Sequence, residues 1–390
     1  MRNQPQAFTG VRDDPRVVKR LKEEAQRKLE DFRRLMTESQ SSDRLFGLGT
    51  RFGKYTFENN ATYEGEIMIN GGTRNGKGIM FFKGGDIYFG EWKQDLFNGN
   101  GTYVFESGER YEGTFVQNKK QGKGSYSYAN GNVYNGQWDN DQKSGQGELI
   151  VANGDKYTGS WKDNKFDGFG VYTSFYGDEY NGRFFNGERA GTGRLTYSSG
   201  ARYEGEWKGD LAEGKGSMRY PNGDVYDGEF RGGMKHGYGV YHFADGGEYQ
   251  GGWVNDEKQG IGVMFYANGD KYSGEWNGGL RSGRGIYEGK RGYNYQGEWR
   301  NDLMHGFGKL NFPDGNFYSG EWHEGQKTGI GLFQFNDGER YEGRWFADKK
   351  NGVGRYNWRN GEELYGNFVD DEIINGGITL ADGRKLVMEK

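Results

Sequence analysis

The sequence contains no cysteine and only four prolines among 390 residues. Without cysteine there is no disulfide framework and no thiolate metal site, which favours a reducing compartment. No apolar run reaches the ~18 residues of a membrane-spanning helix, and the first residues lack the apolar region of a signal peptide. These absences predict a cytoplasmic protein.

The sequence has little excess charge of either sign, since 52 Lys and Arg stand against 56 Asp and Glu and the formal net charge is only −4. Residues 1–44 carry 11 Lys and Arg against 8 Asp and Glu, so the small acidic excess lies in the rest of the chain. Nucleic acid and anionic lipid surfaces are bound by clustered basic side chains. We therefore expect no nucleic-acid partner, and the charge pattern does not support membrane association of the main part of the chain.

Glycine and aromatic residues, by contrast, are abundant, and one pattern, Y-x-G-x-W or Y-x-G-x-F, places most of them. After a first step of 25 residues the pattern recurs every 23, and Leu364 occupies the tyrosine position of a fourteenth unit. A fixed period of this length indicates a stack of identical supersecondary units. The tyrosines are Tyr63, Tyr88, Tyr111, Tyr134, Tyr157, Tyr180, Tyr203, Tyr226, Tyr249, Tyr272, Tyr295, Tyr318 and Tyr341.

Each unit reads as a β-hairpin, as in residues 122–139. Side chains two apart share a strand face, so the glycines and aromatic residues of both strands lie on one face only if the loop has an odd number of residues. A three-residue loop ending in a left-handed Gly131 satisfies this condition and pairs Tyr126 with Tyr134. Residues 139–144 are expected to form a six-residue connection to the next unit.

Glycines that alternate with aromatic residues on one face predict rings lying flat over backbone without Cβ atoms, with no second sheet. We name this face the aromatic face and the other the opposite face. The candidate residues of the aromatic face are Tyr134, Trp138, Tyr157, Trp161, Tyr203, Trp207, Tyr272, Trp276, Tyr318 and Trp322.

Units such as residues 203–207, 272–276 and 318–322, each preceded by G-x-G and by N-G or a similar turn, resemble MORN (membrane occupation and recognition nexus) repeats. The resemblance covers about 340 residues and implies the scaffold branch of the family, which includes radial-spoke head proteins and protist cytoskeletal proteins. Units at the two ends depart from the pattern, with Asn60 for glycine, Ile67 for tryptophan and Leu364 for tyrosine, and are expected to be caps.

The predicted fold is an all-β repeat protein: an elongated, single-layer, twisted antiparallel meander of about fourteen 23-residue hairpins, preceded by an amphipathic α-helix. The predicted domains are an N-terminal segment, 1–44, and a repeat array, 45–390 with degenerate capping units.

The N-terminal segment contains a helix signal over about residues 15–38, with Asp14 as N-cap and Pro15 at the first helical position. One apolar stripe runs along it and should be buried against something, because so short a helix is marginal alone. It covers the open end of the array, docks on another protein, with a homodimer as one form of docking, or binds a membrane surface. The stripe residues are Val18, Leu21, Ala25, Leu29, Phe32 and Met36.

A search for chemistry gives no catalytic or metal-binding candidate. Residues 71–78 nearly match a phosphate-binding loop, but Gly78 replaces the Ser or Thr that would hold magnesium. The four histidines have no paired ligand spacing, and the glutamates three residues after the repeat tyrosines face the polar side. We expect no enzyme activity and no cofactor.

Two functions remain open from the sequence. The first is a non-enzymatic scaffold or protein-interaction module in a cytoskeletal assembly, with the ciliary axoneme as the setting that the family resemblance implies. The alternative is a membrane-associated tether that binds phospholipid.

Overall fold

The computed structural model describes residues 49–388 and, in the N-terminal segment, residues 16, 19, 23, 27, 30–34 and 37, which are helical. The chain divides into an N-terminal unit, which runs to Ser199 and includes Trp207–Asp210, and a C-terminal unit, which holds Gly200–Glu206 and Leu211 onward. The division passes through strand β14, Arg202–Lys208.

In the N-terminal unit thirteen strands pair antiparallel in sequence order. They are β1 (Thr50–Thr56), β2 (Thr62–Met68), β3 (Arg74–Phe81), β4 (Ile87–Lys93), β5 (Leu96–Val104), β6 (Arg110–Val116), β7 (Lys119–Ser127), β8 (Val133–Asp139), β9 (Gln142–Ile150), β10 (Lys156–Lys162), β11 (Lys165–Thr173), β12 (Glu179–Phe185) and β13 (Glu188–Thr196).

The C-terminal unit continues the same pattern with sixteen strands. They are β15 (Leu211–Arg219), β16 (Val225–Arg231), β17 (Met234–His242), β18 (Glu248–Val254), β19 (Glu257–Phe265), β20 (Lys271–Asn277), β21 (Leu280–Glu288), β22 (Asn294–Arg300), β23 (Leu303–Asn311), β24 (Phe317–His323), β25 (Gln326–Gln334), β26 (Arg340–Phe346), β27 (Lys349–Asn357), β28 (Glu363–Val369), β29 (Glu372–Thr379) and β30 (Lys385–Met388).

The predicted all-β repeat meander with an N-terminal helix is therefore confirmed, but the count of about fourteen hairpins is one short. β29 and β30 form a further hairpin around a loop that ends in Gly383 with φ +85°. Its tyrosine position holds Leu386, which pairs with Ile378 as Tyr134 pairs with Tyr126. The sequence pattern missed this hairpin because Met388 and Lys390 stand where the other units have the glycine and the aromatic residue that follow the tyrosine position.

The loop inside each hairpin has the predicted form. Gly131 has φ +87°, and the register pairs Tyr126 with Tyr134 and Gly124 with Gly136. In the first hairpin Asn60 takes the glycine position with φ +63°, since asparagine tolerates the left-handed region better than most residues. The odd-loop argument therefore assigned both faces correctly.

The connection between hairpins differs from the six-residue loop expected at residues 139–144. Strands β8 and β9 continue toward each other and close with a two-residue turn, Asn140-Asp141, in which both residues have positive φ. A bulge shifts the pairing by two residues, so Gly136 pairs with Gly147 but Trp138 pairs with Lys143. Because a shift of two keeps every side chain on its face, the error left the assignment of faces intact.

The core consists of tyrosine rings lying on glycine backbone, as predicted. The ring of Tyr134 is fully buried, and a Cβ added to Gly136 or Gly147 would lie 2.3–2.5 Å from its hydroxyl oxygen. That hydroxyl donates to the carbonyl of Gln137 at 2.8 Å. All thirteen repeat tyrosines repeat this bond at 2.8–3.1 Å.

Tryptophan rings pack against the repeat tyrosines. Tyr134 lies edge-to-face between Trp138 of its own hairpin and Trp161 of the next, with ring centroids 5.2 and 5.0 Å apart. The indole Nε1 of Trp138 donates to the carbonyl of Gly124 at 3.3 Å. Each hairpin is thus packed mainly against its neighbours.

Phe32 and Arg33 of the N-terminal helix contact the opposite face of the first hairpins. Phe32 packs on a cluster of Ile79, Phe89 and Val104, with its ring centroid 5.9 Å from that of Phe89. Arg33 lies 3.8 Å from Glu64. Phe32 is the one stripe residue within the described part of the chain; Val18, Leu21, Ala25, Leu29 and Met36 lie outside it.

A glycine substitution separates crowding from backbone strain. Gly320→Ala places a Cβ 2.5 Å from the Cα of Gly331 and 2.6 Å from the hydroxyl of Tyr318, whereas Gly338→Ala meets no atom within 4 Å and is strained only by its φ of +101°. We expect Gly338→Ala to cost on the order of 1 kcal/mol, and Gly320→Ala to cost clearly more through overpacking. Equal shifts in urea denaturation would contradict this description of the core.

Deleting one whole period tests the neighbour-only packing. Removing residues 237–259 joins His236 to Gly260 and preserves the register of the flanking hairpins, so the protein should stay folded and soluble with a near-unchanged β-sheet spectrum. Removing only 237–247 leaves one strand unpaired and should cause aggregation or a large loss of melting temperature. The same result for both deletions, by circular dichroism and gel filtration, would argue against a modular array.

Candidate functional site

A row of cations lies on the aromatic face, fourteen residues before the repeat tyrosines. Nine of the thirteen units from Tyr88 to Leu364 have Lys or Arg there, and each cation lies over the Trp or Phe of its own unit at 4.3–5.7 Å from the ring centroid. The members of this cation row are Arg74, Lys120, Lys143, Arg189, Lys235, Lys258, Arg281, Lys327 and Lys350.

Aspartates of the two-residue turns balance most of these charges. The backbone N–H of Lys120 donates to Asp141 at 2.9 Å, the N–H of Asp141 donates back to the carbonyl of Lys120, and the Lys120 ammonium lies 3.9 Å from the carboxylate. Arg189 forms the same arrangement with Asp210, with Nε 3.1 Å from the carboxylate. The turn of one unit is thereby bonded to the preceding one.

Lys143 and Lys258 lack that aspartate, because the matching turn positions hold Asn164 and Gly279. Lys143 Nζ lies among three rings, 5.2 Å from Tyr128, 5.3 Å from Tyr134 and 4.9 Å from Trp161. Burial lowers the pKa of Lys143 to about 8, and the nearby Lys120 adds to the effect. Burial also lowers the pKa of Lys258.

The glutamates three residues after the repeat tyrosines bond to the backbone rather than forming a free row of charge. Glu275 accepts the N–H of Arg284 at 2.8 Å, and Glu321 accepts that of Ile330 at 2.9 Å. Each carboxylate lies over a left-handed glycine of the bulge; a Cβ on Gly283 would be 2.5 Å from the Glu275 carboxyl carbon. These glutamates therefore stabilise the bulges.

The loop edge has a second set of links between units. The hydroxyl of Tyr241 donates to Asp224 at 2.7 Å, and the same carboxylate accepts the N–H of Ala244. These bonds lower the pKa of Asp224. Tyr172 and Asp155 repeat the pair at 2.7 Å.

The ten predicted residues of the aromatic face are buried, with exposed fractions of 0–6%. They form the core, and partners would meet them only through the layer above. The cation row in that layer was missed. Its signal was a Lys or Arg two residues before G-x-G, a position that falls within the connection expected at residues 139–144.

The other sequence candidates gain no chemistry. Gly76 and Gly78 belong to strand β3, as repeat glycines. Rings of His305 and His323 lie 5.3 Å apart, and Nδ1 of His236 and of His305 is buried without a hydrogen-bond partner. Among the described residues there is no group of three His, Cys, Asp or Glu that could hold a metal ion. The described helical residues include no stretch that is long and apolar enough to cross a membrane.

A family model, the MORN repeat, matches twelve consecutive segments of this geometry. The chain belongs to the MORN repeat family. MORN repeats generally form a non-enzymatic scaffold or interaction module. The core of this chain, which is built from the residues that recur in each repeat, fits that role. The matched segments are residues 88–110, 111–133, 134–156, 157–175, 180–202, 203–225, 226–248, 249–271, 272–292, 295–317, 318–340 and 341–363.

No curated protein matches the MORN chain. Solved structures that align include the SAS-4 (dCPAP) TCP domain of Drosophila melanogaster in complex with a proline-rich motif of Ana2 (15% identity, 46% of this chain and 86% of that one, TM-score 0.24). Another is the TCP10 domain of Danio rerio CPAP with a peptide of STIL (13%, 57% and 90%, TM-score 0.26).

Lys143 gives the cation row a testable pH dependence. Below pH 8 Lys143 is charged in both the folded and the unfolded state, so burying this charge on folding lowers the stability of the protein. Between about 8 and the ordinary 10.5 the folded state alone loses the proton, so the stability contribution of Lys143 rises with pH. Lys143→Met should therefore stabilise the protein at pH 7, on the order of 1 kcal/mol after solvent screening, and progressively less toward pH 10.

Lys120→Met is the matched control, because it leaves Asp141 without its cation. It should not stabilise the protein at pH 7. Thermal unfolding from pH 6 to 10 compares the two variants with the wild type, and a pH-independent effect of Lys143→Met would contradict the assignment.

Proposed function

We propose that this MORN protein is a non-enzymatic scaffold in a cytoskeletal assembly, with the ciliary axoneme as the setting that the family resemblance favours. The proposal rests on a difference in exposure between the two faces of the sheet. The repeat tyrosines and tryptophans are buried in the core, whereas many side chains on the opposite face are exposed along successive hairpins. Such an array offers a long surface with many positions at which other proteins can bind.

The N-terminal helix supplies the anchoring end of this proposal. Phe32 is engaged with the chain's own sheet, whereas Leu21 lies on the same predicted stripe, eleven residues earlier. We propose that Val18, Leu21, Ala25, Leu29 and Met36 contact a partner protein or a second copy of the chain. Burying several large apolar side chains supplies ~1.5–3 kcal/mol each before ordering costs.

Leu21→Asp tests the anchor. The variant should lose co-sedimentation with the detergent-insoluble cytoskeleton of ciliated cells and keep the wild-type melting temperature. The matched control Arg27→Asp changes an exposed helical residue and should co-sediment as the wild type does. Retained co-sedimentation of Leu21→Asp, or a large fall in its melting temperature, would contradict the anchoring role.

Membrane tethering is the alternative, favoured by the basic excess of residues 1–44. Flotation with phosphoinositide vesicles separates the two functions. Salt-sensitive flotation of the wild type, abolished by Arg27→Asp, would favour the tether over the scaffold.

A further inference from the structure

Aspartate occurs at the second position of the two-residue turn, seven residues after the repeat tyrosine, only in units that have a member of the cation row. Seven of the nine cation units have it, and the four units without a cation have asparagine or glycine there instead. The seven aspartates are Asp95, Asp141, Asp210, Asp256, Asp302, Asp348 and Asp371. Within this chain a turn carboxylate is therefore matched to the cation of its own unit.

These seven carboxylates occupy one geometrically defined position. In each unit the backbone N–H of the Lys or Arg donates to the aspartate Oδ1 at 2.8–3.0 Å. In the Arg281 unit the guanidinium Nε also lies 3.0 Å from Oδ1 of Asp302. The position is thus bounded by a backbone donor and by a cation that lies over an aromatic ring, and both favour a carboxylate.

Lys258 provides the same two donors without the carboxylate. Gly279 occupies the aspartate position, and a Cβ added to it would meet no atom within 4 Å. Among the residues that the structure describes, no side chain accepts the N–H of Lys258 and none forms an ion pair with its ammonium. That ammonium lies 4.6 Å from the ring centroid of Trp276 and 5.2 Å from that of Tyr249. The acceptor position beside Lys258 is therefore open space.

Lys143, the other cation without an aspartate, differs from Lys258. Oδ1 of Asn164 accepts the N–H of Lys143 at 2.8 Å, so a neutral side chain fills the position there. Lys258 is thus the member of the cation row beside which a carboxylate from outside the chain can take the place of the turn aspartate.

The charges next to Lys258 in the row are engaged with one another. Lys235 of the preceding unit donates its N–H to Asp256 at 2.9 Å, and Asp302 of the following unit accepts that of Arg281. Burial lowers the pKa of Lys258, Asp302 opposes the shift and Lys235 adds to it. The ammonium therefore carries a charge that no turn aspartate of its own unit balances.

The carboxylate of Glu257 also lies near this turn, since a Cβ added to Gly278 would be 3.7 Å from its Oε2. The N-terminal unit contains the same arrangement, with Oε2 of Glu188 3.6 Å from a Cβ on Gly209. Asp210 nonetheless occupies the carboxylate position there and accepts the N–H of its cation. A carboxylate at the open position is therefore compatible with Glu257.

We propose that Lys258 and the turn at Gly279 form a binding site for a carboxylate of a partner protein, supplied by an aspartate or glutamate side chain. The carboxylate accepts the N–H of Lys258 and lies beside its ammonium. A cation that is buried without a partner lowers the stability of the free chain, and the bound carboxylate offsets that loss. The inference rests on the proposed scaffold function and assigns it one contact and the chemistry of the group that makes it.

The probe is the blocked tripeptide acetyl-Gly-Asp-Gly-amide, with its Asn counterpart as the uncharged control. Binding to the full-length chain labelled with ¹⁵N-lysine is followed by NMR at constant ionic strength, and the amide signal of Lys258 is the one lost in Lys258→Arg. We expect the Asp peptide to shift this signal saturably at millimolar concentration and the Asn peptide to leave it unchanged. The signal of Lys235, whose N–H already donates to Asp256, should shift much less.

Gly279→Asp supplies the carboxylate from within the chain, in the same Gly-Asp turn as Gly209-Asp210, where Asp210 has φ +64°. This variant should bind the peptide at least tenfold more weakly and melt at a higher temperature than the wild type. Gly325→Asp is the matched control, because the cation position of its unit holds Met304. It should bind the peptide as the wild type does and should not melt at a higher temperature.

No saturable shift of the Lys258 signal, an equal shift with the Asn peptide, or unchanged binding to Gly279→Asp would each overturn the inference. Tighter binding of inorganic phosphate than of acetate would overturn the choice of a carboxylate.

Cytoskeletal co-sedimentation distinguishes a partner protein from a free carboxylate as the source. Gly279→Asp should co-sediment less than the wild type and than Gly325→Asp, and equal co-sedimentation of all three would overturn the partner protein as the source. Loss of co-sedimentation by the wild type itself would count against the scaffold proposal, whereas the peptide titration tests the site independently.

Discussion

The structure depends on the contact between a tyrosine ring and backbone that has no Cβ. Gly136 and Gly147 let Tyr134 lie flat against two strands and bond the carbonyl three residues on. A single sheet ordinarily needs a second layer to bury its apolar face. Here the rings are that layer, and the next tryptophan covers each ring from the side. This explains why one period carries glycine and aromatic residues at fixed positions.

Because of that contact, each part of the core lies within one hairpin and its neighbours. Polar groups add further bonds between neighbouring hairpins. The reciprocal bonds of Lys120 and Asp141 tie one turn edge, and the bond of Tyr241 to Asp224 ties the loop edge. Burying a cation above the rings costs less free energy where an aspartate lies close to it. Burial lowers the pKa of Lys120 as well, but Asp141 opposes that shift, whereas Lys143 lacks such an aspartate and its pKa falls to about 8.

Much of this arrangement could be read from the sequence, and the failures have physical causes. Side-chain parity predicted the left-handed Gly131 and the shared face of Tyr126 and Tyr134, because faces depend only on odd or even counts. The two-residue turn at Asn140-Asp141 was missed since a bulge shifts the register by two and leaves parity unchanged. The cation row was missed because a lysine between polar residues resembles a solvated loop, and its ring contacts cross to another strand. The packing of Phe32 on Phe89 is a contact distant in sequence, which periodicity does not specify.

The repeat constrains one face and leaves the other free to vary. Substituting the glycines or tyrosines disturbs the core, so those positions stay alike from unit to unit within this chain. Position 146 and position 330 are equivalent in the hairpin, yet one holds glutamine and the other an exposed isoleucine, and both hairpins form. Information about partners must therefore lie in the positions where units differ. The covered cluster at Ile79 and the exposed side chain of Ile330 are two such differences, and both lie on the face that the core does not use.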